Sequence, residues 1–316
     1  MIKRIVIPLL GIFLFLGCSI FKKPQELRVG ILSWPGYEPL ALADSLHYYD
    51  EEIKIIRFPS VIDVMGAMRN GTIDVASLTI DESMVYAQEN PELRAFLVCD
   101  SSNGGDGIVA KKGITTAAQL KGKRIAAEES ALSSYILQRY LTISGLKRSD
   151  ITIVPITYDL QLEVCTLDQA DAVITYNPVK EQLIAQGANL LFDSTKMPGE
   201  IVDVLVARES VLNEKKEQVV KLINGWYKSL DYIQKFPSDA NKQMASFENI
   251  SEEMFQASWK GMIVPNREEA NRMLGHGAGS LNETSLLLVE NMRTHGLIKK
   301  DTTFKHFFTS EFIKLK

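Results

Sequence analysis

The stretch Leu27-Arg28-Val29-Gly30-Ile31-Leu32-Ser33-Trp34-Pro35-Gly36-Tyr37-Glu38-Pro39-Leu40 decides the fold. Its first six residues form a short apolar run bounded by turn residues, which predicts a buried strand. Ser33 to Glu38 carries Pro and Gly and reads as a loop, and Pro39 to Tyr48 reads as a helix. The unit then recurs. Ile53 to Phe58 predicts a strand. Val61 to Asn70 predicts a helix from the spacing of Val61, Val64, Met65 and Met68, with Gly71 as its stop. Val75 to Leu78 is a strand, Asp81 to Asn90 a helix ended by Pro91, and Arg94 to Asp100 another strand. Alternation of this kind predicts a largely parallel sheet with helices on its faces.

The pattern continues outward. Strands are predicted at Ile108 to Lys111, Lys123 to Ala127, Ile151 to Pro155, Ala172 to Thr175, Leu190 to Asp193 and Val202 to Ala207. Helices are predicted at Thr116 to Leu120, Ser130 to Ser144 and Pro178 to Gln186. From Val211 onward only helices are expected, at 214–236, 238–248, 251–260 and 281–295. The internal boundaries fall near 107 and 203. One lobe is therefore built from 27–107 and 204–316, and the other from 108–203.

Composition agrees with a globular chain. The 316 residues are 46% apolar and 23% charged, which excludes a disordered or collagen-like protein. A chain of this length can bury a core large enough to need no disulfide staple. Cys99 and Cys165 both lie in apolar, strand-like segments and read as buried thiols. Lys and Arg total 35 against 39 Asp and Glu, a net charge of −4, so no basic excess points to nucleic acid.

The first residues read as an address. Lys3 and Arg4 precede the apolar run Ile5 to Leu16, which is shorter than the roughly 20 residues a membrane span needs. Gly17-Cys18 follows at once and resembles a lipobox, although Phe15 stands where Leu is usual and Leu16 where a small residue is preferred. On this reading 1–17 is a signal peptide, Cys18 carries the lipid, and 18–26 is a tether to a bacterial membrane. The protein is then extracytoplasmic.

Candidate functional residues sit in loops at strand ends, where open α/β sheets bind ligands. Trp34 and Tyr37 supply flat walls with polar tips, or else pack on the following helix. Gly36 permits close backbone approach. Thr79 and Asp81 follow the third strand and also suit helix capping. Ser101 to Gly107 is polar and Gly-rich. Glu129, Ser130 and Ser133 open a helix whose free N–H groups suit an anion.

Four segments in order carry a resemblance: Trp34-Pro35-Gly36-Tyr37-Glu38-Pro39-Leu40, Asn70-Gly71-Thr72-Ile73-Asp74, Gly105-Asp106-Gly107-Ile108-Val109-Ala110 and Leu120-Lys121-Gly122-Lys123-Arg124-Ile125-Ala126. Over roughly residues 27 to 300 the chain resembles the nitrate/sulfonate/taurine-type solute-binding proteins of ABC importers, a family with pyrimidine-binding and thiamine-pyrimidine-synthesis-like members. The resemblance implies an α/β, two-lobed type II periplasmic-binding-protein fold. Each lobe is then a mixed, mostly parallel sheet flanked by helices, with the ligand cleft between lobes. It implies a pocket drawn from Ser33, Trp34, Gly36, Tyr37, Glu38, Thr79, Asp81, Ser101, Gly105, Asp106, Glu129, Ser130, Ser133, Tyr176 and Asp203. Its partners are a small-molecule ligand and an ABC permease, or alternatively a membrane sensor to which the ligand is presented. A monomer is expected.

That residue set is rich in acids and holds no Arg or Lys. Oxyanions are ordinarily met by guanidinium groups or helix termini. Acids beside aromatics suit a cationic or hydrogen-bond-donating solute, so a small amine or nitrogen heterocycle is expected. No cofactor or metal is expected. His47, His276, His295 and His306 lack zinc-site spacing, and no nucleophile elbow or phosphate loop occurs. The family's pyrimidine-making branch uses a Cys-rich cluster that this sequence lacks. Enzyme activity is not expected, with an enzyme on the same fold kept as the minor alternative.

Overall fold

The computed structural model describes residues 25–164, 168–299 and 301–315. The expected signal peptide, Cys18 and Cys165 lie outside the described residues. Among the described residues eleven strands run in chain order: β1 Leu27–Ile31, β2 Ile53–Arg57, β3 Val75–Thr79, β4 Leu93–Ser102, β5 Asp106–Ala110, β6 Lys123–Ala127, β7 Ile151–Pro155, β8 Ala172–Tyr176, β9 Asn189–Asp193, β10 Val202–Arg208 and β11 Met262–Ile263. They form two sheets, one of order β11-β4-β10-β3-β1-β2 and one of order β7-β6-β8-β5-β9.

The parallel pairs are β1 with β2 and β3, and β6 with β7 and β8. The reversed strands are β5, β10 and the short edge strand β11. β10 runs antiparallel between β3 and β4, and β5 antiparallel between β8 and β9. Each sheet is thus mixed but mostly of one direction, as expected.

Both sheets use the same ionic device. Asp74 accepts hydrogen bonds from the Arg28 backbone N–H at 2.9 Å and from its guanidinium at 3.0 Å. In return, Asp74 N–H bonds Arg28 O at 2.8 Å. In the second sheet Arg124 N–H bonds Asp171 Oδ2 at 2.9 Å, and Asp171 N–H bonds Arg124 O at 2.8 Å. An Asp just before one strand is thereby pinned to an Arg on its parallel neighbour, which sets the register of both pairs.

The chain crosses between sheets at 103–105 and returns at 194–201. These joints lie slightly before the expected ones at 107 and 203, because Asp106 and Gly107 already pair with β8 and Val202 and Asp203 already pair with β4. The crossings touch. Ser194 Oγ accepts from Gly104 N–H at 2.6 Å and lies 2.7 Å from Ser102 Oγ. Gly104 takes a φ of +105°, a conformation that side chains resist.

Two expectations are corrected. The strand-like segment before Cys165 is a helical turn, Gln161–Val164, with only Gln161 and Val164 buried. The region after Val211 is not helical throughout, since Met262–Ile263 pairs with Ser101 and Ser102 at the edge of the first sheet. Cys99 is a free thiol buried in β4. The helix Lys216–Lys235 buries Val219, Leu222, Ile223 and Trp226, the spacing of one apolar face.

Burial alone would raise the Asp74 pKa, but Arg28 and then Lys215 hold it below the usual carboxylate range. A lowered folded value gives stability that is present above the unfolded pKa and lost as pH falls through the folded one. Asp74→Asn is therefore expected to cost about 1.5–3 kcal/mol at neutral pH, the worth of a hydrogen bond to a charged group. Asp171→Asn should cost less, because Arg124 is 42% exposed. Urea unfolding measures both. A cost for Asp74→Asn that persists undiminished in acid would show that shape, and not charge, is at stake.

Candidate functional site

The site begins with the strand register. Asp203, near the start of β10, lies opposite Thr79 on one side and Asp100 on the other. In the second sheet Asp106, the first residue of β5, lies opposite Tyr176, the last of β8. The two crossings bring these rows face to face.

Side chains from both lobes close a cavity of about 30 Å³. That is room for about two water molecules. The first lobe contributes Leu32, Trp34, Tyr37, Val61, Thr79, Glu82 and Asp203. The second contributes Asp106, Glu128, Leu132 and Tyr176. Trp34 follows β1 and leads into the turn Pro35–Tyr37, so both aromatics are delivered at a strand's carboxyl end. Trp34 Nε1 donates to Asp100 Oδ2 at 3.0 Å, and Tyr37 OH donates to Asp203 Oδ1. Thr79 caps the helix Ile80–Ala87 in a reciprocal pair with Glu82. Tyr176 meets Trp34 edge to face with ring centres 6.0 Å apart. It also stacks on Tyr158 at 4.2 Å.

The electrostatics are one-sided. None of the cavity-lining residues is Lys, Arg or His. Burial pushes the Asp106 and Asp100 carboxyls up to about 7. It does the same for Glu128, to about 7, and for Asp81, to about 6. Asp203 is raised well above the ordinary range by burial and then by Asp100, and Glu82 by burial and then by Asp81. Acids this close together and this dry cannot all carry charge. They hold protons or await a positive or proton-donating partner.

Six expected residues meet at the cavity: Trp34, Tyr37, Thr79, Asp106, Tyr176 and Asp203. The others are placed elsewhere. Glu38 is fully buried and bonded through both oxygens to Arg57, at 2.7 and 2.5 Å. Ser33 donates to Glu248. Gly36 and Gly105 form the backing of the Trp34 wall. A Cβ on Gly36 would fall 1.9 Å from Asp100 Oδ2, and one on Gly105 2.5 Å from Trp34. Asp81 is buried beside Glu82 but does not line the cavity. Ser101 is held in the sheet opposite Val202.

Glu129, Ser130 and Ser133 line a different, wider groove of about 660 Å³ on the flank. There Ser130 caps its helix by accepting from Ser133 N–H at 3.1 Å.

Sequence reasoning missed Leu32, Val61, Glu82, Glu128 and Leu132 at the cavity, and Asp100 behind Trp34. Glu128 and Asp100 carried a usable signal, since each is an acid at the carboxyl end of a strand. The apolar three carried none, because a buried Leu or Val has the same sequence signature in any core.

Residues 34–240 match the family described as NMT1/THI5 like. The chain belongs to that family. The matched span contains β2 to β10 and every cavity residue except Leu32. The taurine-binding periplasmic protein of Escherichia coli (strain K12) is 23% identical over 234 residues, 72% of each chain. The alkanesulfonate-binding protein SsuA from Xanthomonas axonopodis pv. citri, bound to MOPS, superposes with a TM-score of 0.72 at 18% identity, over 88% of this chain and 96% of that one. The desulfurization enzyme DSZB superposes at 0.67 with 15% identity, over 92% and 97%. At such identities the structural likeness shows the fold alone. The periplasmic-binding-protein architecture expected for this NMT1/THI5-like chain is thereby established, and its chemistry is read from its own residues.

The Asp106 carboxyl rises from 3.8 to about 7 by burial and then by Asp81, against the Ser102 hydrogen bond and the Lys180 charge. Between those values the folded chain keeps a proton that the unfolded chain has released, so this group lowers stability as pH rises. Asp106→Asn removes the titration. Its melting temperature is expected to climb relative to the parent as pH goes from about 4 to about 7. A constant gap across that window would mean that Asp106 titrates like an exposed carboxyl.

Proposed function

We propose that the protein is an extracytoplasmic solute-binding lipoprotein that captures a small, polar, nitrogen-containing molecule between its lobes and delivers it to an ABC permease. The observation that carries this reading is the interlobe cavity, walled by Trp34, Tyr37 and Tyr176 and ringed by carboxyls with no cation among its lining residues. An amine, amidine or protonated heterocycle supplies what those carboxyls lack, and aromatic faces favour cations. A simple oxyanion finds no guanidinium there. The relatives named for taurine and alkanesulfonates support the binding role and the importer partner. Taurine itself carries an ammonium group. Ligand held by both lobes stabilises their closed arrangement, which a permease reads as shape. The protein acts as a monomer in this reading, with Cys18 as its lipid anchor.

The test is a thermal-shift screen of the full chain in mild detergent against small amines, nitrogen heterocycles, amino acids, sulfonates and nitrate. A ligand at about 100 times its dissociation constant adds about 2.7 kcal/mol of stability. Protection is expected from one nitrogenous class, and it should weaken at least tenfold in affinity in Asp203→Asn or Trp34→Ala, about 1.4 kcal/mol. Protection by sulfonates or nitrate alone would sink the ligand assignment. For the anchor, Cys18→Ser is expected to move the chain from the membrane fraction to the soluble one. Retention in the membrane would count against lipidation.

A further inference from the structure

Tyr176 is an aromatic wall of the second lobe, and the residue after it, Asn177, is fully buried. The Asn177 backbone N–H donates to Gly105 O at 3.0 Å, at the crossing between sheets. Its side chain reaches further. Asn177 Nδ2 donates to Ser258 O at 3.0 Å, near the end of the helix Glu252–Trp259. That helix leads into β11, the edge strand of the first sheet, so the bond joins one lobe to the other. Ser258 O also accepts from Gly261 N–H at 3.0 Å, and Gly261 O accepts from Asn103 N–H at 2.8 Å.

Two glycines meet at this joint with no side chain between them. A Cβ on Gly261 would fall 2.8 Å from Gly105 Cα and 2.8 Å from Asn177 Nδ2, where ordinary contact begins at 3.4 Å. A Cβ on Gly105 would fall 2.8 Å from Gly261 O, in addition to its clash with Trp34. Backbone packed on backbone yields less than a long side chain does. Trp34, Gly105, Gly261, Asn177 and Tyr176 thus form one line of contacts from the first wall to the second. Asn177, Ser258 and Gly261 do not themselves line the cavity. Asn177 Oδ1 is buried and accepts no hydrogen bond from the described residues. Burying an amide with an unused oxygen costs stability, so core packing alone does not account for Asn at this position.

We propose that this joint gauges the binding cavity: Asn177 and Gly261 fix the distance between the Tyr176 and Trp34 walls, and thereby set the size of the solute group that the cavity admits. The role rests on the solute-binding function proposed above. Both are positioning residues, since they act through the walls and not on the solute. A cavity of about 30 Å³ has no slack, and a small change in wall separation changes what fits.

Three variants test the gauge. Gly261→Ala inserts a methyl group into the joint and forces its two sides apart. Asn177→Leu keeps the bulk, loses the donated bond and leaves the glycine contact in place. Asp74→Asn, weakened at the sheet clamp, controls for lost stability alone. Two readouts are taken on the full chain in mild detergent. One is the nuclear Overhauser contact between the Trp34 and Tyr176 rings, with Trp and Tyr protonated in a deuterated chain, and it needs no solute. The other is the ratio of affinities for imidazole and the larger benzimidazole, from thermal shift.

The ring contact is expected to be strong in the parent and in Asp74→Asn, to weaken severalfold in Gly261→Ala and to weaken less in Asn177→Leu. The affinity ratio is expected to move about tenfold toward benzimidazole in Gly261→Ala, the lower end of what one methylene of room is worth. It should move by a smaller factor in Asn177→Leu and keep the parent's value in Asp74→Asn. A ring contact unchanged in both joint variants overturns the gauge. So does a ratio unchanged in both, or one moved equally by Asp74→Asn. If Gly261→Ala does not fold, Asn177→Leu decides alone. A parent that neither heterocycle protects counts against the solute-binding function, while the ring contact still decides whether the joint holds the walls.

Discussion

Asp100, Asp106 and Asp203 flank the two points at which the chain changes sheets, and their surroundings keep water away without supplying a cation at the cavity wall. The remaining features of the site follow from that constraint. Asp100 and Asp203 lie opposite each other on paired strands, and the Asp100 charge adds to burial in raising Asp203. Trp34 and Tyr37 each spend their single polar hydrogen on one of this pair. The aromatic walls are therefore oriented by the acids, and the acids are kept dry by the aromatics.

The site lies where the two sheets meet. Each is an independent layer with its own Arg–Asp clamp, at Arg28 and Asp74 in one and at Arg124 and Asp171 in the other. Only the crossings at 103–105 and 194–201 and the contacts across the cleft join them. Ser194 ties the crossings to each other.

Much of the site was legible because strand ends are legible. Trp34 and Tyr37 follow a short apolar run and precede a helix, Thr79 stands at a strand-to-helix junction, and Asp106 and Asp203 begin strands that leave and re-enter a lobe. What was not legible is which acid faces the solute. Glu38 and Glu128 look alike in sequence, each an acid in a polar loop after a strand. Glu38 is taken up by Arg57, which lies 19 positions away at the end of β2. Glu128 lines the cavity with its buried Oε1 unbonded. Glu129 was the expected member of its pair and turns into the flank groove instead.

Local order in the chain was enough to predict the alternation of strand and helix, because apolar periodicity and turn residues act over a few positions, while the family rested on the resemblance of four ordered motifs. Strand direction, the exact joints between lobes and the identity of the charged partners belonged to the tertiary structure. β10 runs against its neighbours because the chain must return from the second sheet, and no residue within β10 encodes that. The burial of its Asp203 between Asp100 and Tyr37 arises only when segments 103 and 166 positions away are brought to it. Charge in a protein is settled by what surrounds it, and those surroundings come from distant parts of the chain.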